Sequence, residues 1–324
     1  MTNKGNRKYY ILLMIGLLTF SAASAQKKGK KHSPKPGKTA MQYFNSGSEK
    51  AKEGKYKEAV ADLDKSIAMA GKNHEAYYNR GFCEVHLDDY EAAIQDFTKA
   101  INLWPKTFPD ALYYRGYCYN HQGMYDLAIS DFSKALEVHS NGDLWSARGY
   151  AYLQNKDYAN ALSDYTDAIA LDPKSVQYLG LRALCHYELH HLKETIEDAD
   201  KYLAEKPSSP DIIEVELKAK SELKDNEGAY QLAIKLVHYQ KTPITFYYKG
   251  LTEFYIKKYD EGIEDFSNSL KMDPNYRDSY YGRALCYLGI NDDDHACPDL
   301  RKAAELGYPN LKGRIEDYCK GVKE

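Results

Sequence analysis

The feature that most constrains this chain is that it repeats itself. The segments Tyr77-Tyr78-Asn79-Arg80-Gly81, Tyr113-Tyr114-Arg115-Gly116, Ala147-Arg148-Gly149 and Tyr248-Lys249-Gly250 each precede an acidic aromatic block. Those blocks are Ile94-Gln95-Asp96-Phe97, Ile129-Ser130-Asp131-Phe132, Leu162-Ser163-Asp164-Tyr165 and Ile263-Glu264-Asp265-Phe266. Aligning them starts successive units at Ala40, His74, Pro109, Gly142, Val176, Pro210, Pro243 and Arg277. A fixed period near 34 residues means stacked modules, each leaning only on its neighbours, and excludes a globular sheet.

Within each unit two apolar stripes run at helical spacing, at positions 4, 8 and 11 and then at 20, 24 and 27. A polar turn such as Leu87-Asp88-Asp89-Tyr90 separates them, so each unit reads as a helical hairpin. Gly47, Gly81, Gly116, Gly149 and Gly250 at position 8 face Ala59, Ala93, Ala128, Ala161 and Gly262 at position 20, where a large side chain would push the helices apart. Pro105, Pro173, Pro207 and Pro274 at position 32 end the second helix, because proline has no amide donor and disfavours helix in the residue before it.

The Gly or Ala at position 8, the tyrosines Tyr119, Tyr152 and Tyr287 at 11, alanine at 20, an aromatic at 24, Ala100, Ala135 and Ala168 at 27 and proline at 32 resemble the tetratricopeptide repeat family over residues 40–309. The resemblance implies an all-α, right-handed superhelical solenoid of about eight hairpins, closed by a short helix and tail over 310–324 that covers the last apolar face. Unit six, with Leu217 at position 8 and Ala233 at 24, departs most; unit five, with Thr195 at 20 and Ala199 at 24, is also loose.

Charge divides the chain. Nine Lys and Arg and no acid precede residue 39, so a net charge of −3 leaves −12 for the rest. An acidic body argues against a nucleic-acid surface, which needs clustered cations. Lys4, Arg7 and Lys8, the apolar run Tyr9–Phe20 and Ala23-Ser24-Ala25 have the order of a secretory signal, with cleavage expected after Ala25. Twelve apolar residues give about 18 Å of helix against a core of roughly 30 Å, too short to anchor. The mature product is therefore expected to be periplasmic or extracellular, without a transmembrane segment. Residues 26–39 (QKKGKKHSPKPGKT) have nothing apolar to bury and read as a basic linker, either solvated or attracted to an anionic surface.

Position 7 holds Arg80, Arg115, Arg148, Arg182, Lys249 and Arg283; position 23 holds Asp62, Asp96, Asp131, Asp164, Asp198, Asp265 and Asp299. They imply a ladder of ion pairs, since Arg seldom takes an inner helix position unpartnered. The nearness of position 23 to the next unit points across repeats, Asp96 to Arg115. The joint loss of both residues in unit six, which has Glu216 and Leu232, points within one; both arrangements stay open. Cys83, Cys118, Cys185 and Cys286 share position 10, about 10 Å apart, too far for disulfides, and are expected as buried free thiols. Cys297 and Cys319, in an exported chain, are expected to pair; the ending also resembles the terminus of envelope repeat proteins from Bacteroidetes-type bacteria.

His186 and His190 have a four-residue metal spacing, but the run is not His-Glu-x-x-His and His186 falls on core position 11, so no metal is assigned. No nucleophile elbow, dinucleotide fingerprint or phosphate loop occurs, so no catalytic residue and no cofactor is assigned. The family resemblance instead places first helices on a concave side. There Phe44, Tyr78, Phe82, Tyr113, Tyr117, Tyr150, Tyr187, Tyr247, Phe254, Tyr255 and Tyr281 would line a peptide-binding groove, about half of them accessible, among acids such as Glu75, Asp110, Asp143 and Asp278. Of the family's carboxylate-clamp residues only Asn79 is present. The function expected is a non-enzymatic scaffold binding a protein or peptide. The alternatives are an envelope tether acting through the lysine arm and a carbohydrate-binding module.

Overall fold

A computed structural model describes residues 38–104, 106 and 108–319. The signal-like segment, all of the lysine arm but Lys38, and Pro105 lie outside these residues. Seventeen helices and no strands are found among them. First helices begin at Ala40, His74, Pro109, Gly142, Val176, Pro210, Pro243 and Arg277, the residues from which the sequence period is counted. Each is followed by a second helix, from Tyr56–Met69 in repeat one to Asp293–Glu305 in repeat eight, and Lys312–Tyr318 follows the last.

The chain forms two units, Met1–Tyr178 and Leu179–Glu324. In the first, hairpin helices pack together, each second helix packs on the next first helix, and the first helices at Ala40–Lys52, His74–His86, Pro109–Gln122 and Gly142–Gln154 touch in succession. First helices thus line one wall. In the second unit the helices Pro243–Tyr255 and Arg277–Gly289 touch in the same way.

The turn inside the hairpin is a device the periodicity hid. Position 15 has a positive φ in all eight repeats: Gly54, Asp88, Gly123, Lys156, His190, Lys224, Lys257 and Asn291. This residue ends the first helix in the manner of a Schellman cap, with the amide of Lys156 donating to Leu153 O and that of Asp157 to Tyr152 O. The next residue then starts the second helix: Asp89, Asp157, Asp225 and Asp292 accept from amides three residues on.

Position 24 fills each hairpin. Phe97, Phe132, Tyr165 and Phe266 are completely buried. The small residue at position 8 makes room for them: a Cβ on Gly116 would stand 2.8 Å from the Phe132 ring. Repeat six exchanges these sizes, with Leu217 at position 8 and Ala233 at 24 in one buried cluster, so its register is kept while volume moves between helices. In repeat five Tyr202, at position 27, supplies the missing ring and lies against Gly180.

Cys297 and Cys319 are disulfide-bonded, with Cα atoms 5.7 Å apart. The bond ties the final helix to repeat eight, where Leu311 and Ile315 join a cluster with Ala284, Leu300 and Ala303. Cys83, Cys118, Cys185 and Cys286 are free and buried, and burial pushes each thiol up to about 12.

Candidate functional site

The ion ladder holds the first helices to the second helices. Arg115 donates through Nε and Nη2 to the two carboxylate oxygens of Asp131 at 2.7 and 2.8 Å. Arg80 with Asp96, Arg148 with Asp164, Arg182 with Asp198 and Arg283 with Asp299 repeat this fork, and Lys249 bonds Asp265. The pairing therefore closes within each hairpin, and the cross-repeat pairing of Asp96 with Arg115 is not formed. The spare guanidinium nitrogen nevertheless reaches back: Nη1 of Arg80, Arg115, Arg148 and Arg283 donates to Asp64, Thr98, Ser133 and Ser267, all at position 25 of the preceding repeat. One side chain thus locks its own hairpin and its neighbour. That second contact was invisible while position 25 varied among Asp, Thr and Ser.

Position 11 brings a second acid beside the aspartate in two repeats. Burial and the neighbouring Asp96 raise the Glu84 carboxyl to about 8, and its Oε2 has no donor. Burial holds the Glu253 carboxyl near 7 despite Lys249, with Asp265 opposing its ionisation, and its Oε2 is likewise without a donor. Burial and the neighbouring carboxylate thus favour the protonated form of both glutamates, which in that form have a hydrogen to donate. In repeat six the charges are inverted: buried Glu216 takes position 7 and pairs with Lys220 at 2.7 Å, and burial raises its pKa.

The eleven aromatic groove residues proposed from the sequence are less open than the expected half. Tyr255 is exposed at 52 %, Tyr117 is buried at 8 %, and Phe44, Tyr78, Phe82, Tyr113, Tyr150, Tyr247, Phe254 and Tyr281 are partly buried, as is Tyr187. The reason is packing within each hairpin. Tyr78, Tyr113 and Tyr247 at position 5 lie 5.8, 5.9 and 5.9 Å from Phe97, Phe132 and Phe266 at position 24. Tyr117 packs at a tilt against Tyr90 and His121, which stack on each other at 4.3 Å, and Tyr281 stacks on Tyr308 at 4.2 Å. These rings form the floor of the wall.

Its edge is acidic. Glu75, Asp110 and Asp143, at position 2 of repeats two, three and four, are exposed. Each of the latter two stands by the position-5 tyrosine of the repeat before: burial raises the hydroxyl pKa of Tyr78 and Tyr113, and Asp110 and Asp143 add to it. Asp278 does the same for Tyr247 in the second unit. Asp143 accepts from Tyr178 at 2.8 Å. Positions 2, 5, 9 and 12 of repeats two to four carry no Lys or Arg. The arrangement presents tyrosine flanks and unneutralised carboxylates at one-repeat intervals, a surface suited to cationic side chains.

His186 and His190 do not share a helix face, because the helix ends at Glu188 and His190 sits in the left-handed turn. His186 instead faces His191, Nδ1 to Nδ1 at 3.2 Å. Among the described residues no group of three or more His, Cys, Asp or Glu side chains is arranged to hold a metal, and no helix is long and apolar enough to cross a membrane. Asn79 donates to Ser48 at 2.8 Å and is buried.

Hairpins of this length, paired and stacked in this order, define a helical repeat protein. Residues 43–73, 74–106, 109–141 and 142–175 match tetratricopeptide repeat models, and the chain carries tetratricopeptide repeats. Hsp70-Hsp90 organizing protein 3 of Arabidopsis thaliana is 27% identical over 216 residues, 53% of this chain and 38% of that protein. DnaJ homolog subfamily C member 7 of Homo sapiens is 24% identical over 300 residues, 82% of this chain and 60% of that protein. The chain thus spans less than two thirds of either relative. Among solved structures, a tetratricopeptide repeat protein of Parabacteroides merdae superposes with a TM-score of 0.54 at 19% identity, covering 76% of this chain and 97% of its own. MamA of Desulfovibrio magneticus RS-1 gives 0.50 at 22%, covering 53% and 98%. These two share the fold.

Proposed function

We propose that this protein is a non-enzymatic scaffold whose inner wall binds an extended, Lys- or Arg-bearing segment of a partner protein. Tetratricopeptide repeats and the organizing-protein relatives support a protein–protein interaction scaffold. One observation carries the finer reading: exposed Glu75, Asp110 and Asp143 recur once per repeat, the last two beside half-buried Tyr78 and Tyr113. A chain in the polyproline II form advances about 3.1 Å per residue and returns every third side chain to the same face. Basic side chains every third residue therefore meet successive carboxylates about 10 Å apart. The rings add apolar contact at little entropic cost. The compartment is exported, a reading that the Cys297–Cys319 bond supports, since disulfides persist where the environment is oxidising.

Selection from a display library of short random peptides tests the surface. Peptides enriched in Lys or Arg at three-residue spacing should bind the protein and lose binding to the E75K/D110K/D143K variant, with unchanged helical circular dichroism. Selected peptides that bind both proteins equally would reject this wall.

A further inference from the structure

We infer that His186 and His191 form a two-imidazole site for a borderline divalent metal ion such as Zn2+, which ties the two helices of repeat five together across their turn. The site is independent of the wall and of what the wall binds.

Distance is the first observation. Nδ1 of His186 and Nδ1 of His191 stand 3.2 Å apart. Zn2+ holds imidazole nitrogens at about 2.0–2.1 Å, so two of them at a tetrahedral angle are separated by about 3.3 Å. The pair therefore already has the spacing of one edge of a zinc tetrahedron.

The second observation is what lies behind His186. Its Nε2 faces Asp198 Oδ2 at 3.9 Å, and Asp198 is itself held by the fork from Arg182. A carboxylate on that side keeps the ring proton on Nε2 and leaves the Nδ1 lone pair towards His191. Carboxylates orient metal-bound histidines in the same way. In the metal-free chain the Nδ1–H of His191 donates to that lone pair. When a metal ion enters, the His191 proton moves to its other nitrogen and both Nδ1 lone pairs turn to the ion.

The surroundings set the class of metal. Two imidazoles without a thiolate suit Zn2+, Cu2+ or Ni2+, whereas Ca2+ and Mg2+ take oxygen ligands. Glu194 acts on the His186 ring from one turn into the second helix, and with Asp198 it outweighs the charge of Arg182. His191 is exposed, so water can take the remaining positions on the ion.

The place in the repeat gives the tie a purpose. His191 stands at position 16, where Asp89, Asp157, Asp225 and Asp292 cap the second helices of repeats two, four, six and eight. Lys55, Met124, His191 and Lys258 make no such bond, and of these four only His191 offers an imidazole. A metal ion there joins Val176–Glu188 to Leu192–Glu205 in the repeat with Thr195 at position 20 and Ala199 at 24.

Titration calorimetry of the full, disulfide-bonded chain, stripped with a chelator and given Zn2+ alone, tests the site. The unaltered chain should bind a Zn2+ ion whose affinity falls about 10-fold or more in H191Q, with unchanged helical circular dichroism. H190Q should keep the affinity, because the His190 ring faces Glu222 instead, at 3.7 Å. In proton NMR, the first Zn2+ added should shift the His186 and His191 ring signals ahead of those of the other histidines. Equal affinity in H191Q and the unaltered chain, an equal loss in H190Q, or other histidines shifting first would overturn the site and leave the pair as a hydrogen bond.

Discussion

Arg115 and Asp131 stand sixteen residues apart and clamp the two helices of one hairpin through a fork of 2.7 and 2.8 Å, while the third arm of the same guanidinium holds Thr98 of the hairpin before. The same atoms thus set the geometry inside a repeat and the stacking between repeats.

Removing one partner of a buried pair leaves an uncompensated charge, which costs about 3–5 kcal/mol. Asp131→Asn should therefore cost about 3 kcal/mol, at the low end because Arg115 retains some solvent contact. Thr98→Val should cost about 1 kcal/mol, the worth of one ordinary hydrogen bond. Urea unfolding of both variants and of the double variant checks the order; a Thr98 change as costly as the Asp131 change would contradict it.

The carboxyl pairs predict how stability follows pH. Glu84 faces Asp96, Arg80, Asp89 and the Cys83 and Cys118 thiols; Glu253 faces Asp265, Lys249 and Cys286. Their folded pKa values, about 8 and about 7, lie above the unfolded value near 4.3. The native state therefore holds more protons, and the stabilisation present below pH 4 is lost as pH rises through 7 to 8. Burial lowers the pKa of His86, His121 and His186, which gives the opposite slope, but below about 6.5. Between pH 6.5 and 8 the urea midpoint should fall. Glu84→Gln and Glu253→Gln should each flatten that fall and raise the midpoint at pH 8; a slope unaltered in the double variant would refute the protonated glutamates.

Lys156, Lys224 and Lys257 hold a left-handed backbone with exposed side chains. The conformation costs an L-residue about 1–2 kcal/mol, partly offset by the greater chain entropy glycine gives the unfolded state. Each Lys→Gly substitution should therefore raise stability by about 0.5–1 kcal/mol. Calorimetry reads this as a higher Tm, and a lower Tm at all three sites would show that the turn is not strained.

The Cys297–Cys319 bond closes a loop of 22 residues, for which chain entropy gives about 3 kcal/mol. Cys319→Ser should expose Leu311 and Ile315 and make the final helix the first site of proteolysis. A cap equally resistant without the bond would show that its apolar contacts suffice.

Much of this was legible because stacking forces a period on the chain. Helix starts, buried thiols at position 10 and the Arg/Asp positions all follow from counting. What the period hid depends on atoms. Position 15 carries Gly, Asp, Lys, His and Asn, types that share only tolerance of the turn, so its common φ left no composition signal. Tyr117 and Tyr113 are the same residue type four apart on one helix. The first is buried against Tyr90 and His121 and the second stays partly open, a difference set by which ring the neighbouring helix offers. Pairing within hairpins was half legible: the joint loss in repeat six pointed to it, but Arg115 is of comparable sequence distance from Asp131 and Asp96, and only helix rotation decides between them.

Site-specific photo-crosslinking in cells tests the recognition wall most directly. A photoreactive side chain replacing Asp110, on the inner edge, should attach covalently to a partner segment, while the same side chain at exposed Lys134 on a second helix should not. Adducts from Lys134 alone, or equally from both, would contradict the assignment of binding to the wall of first helices.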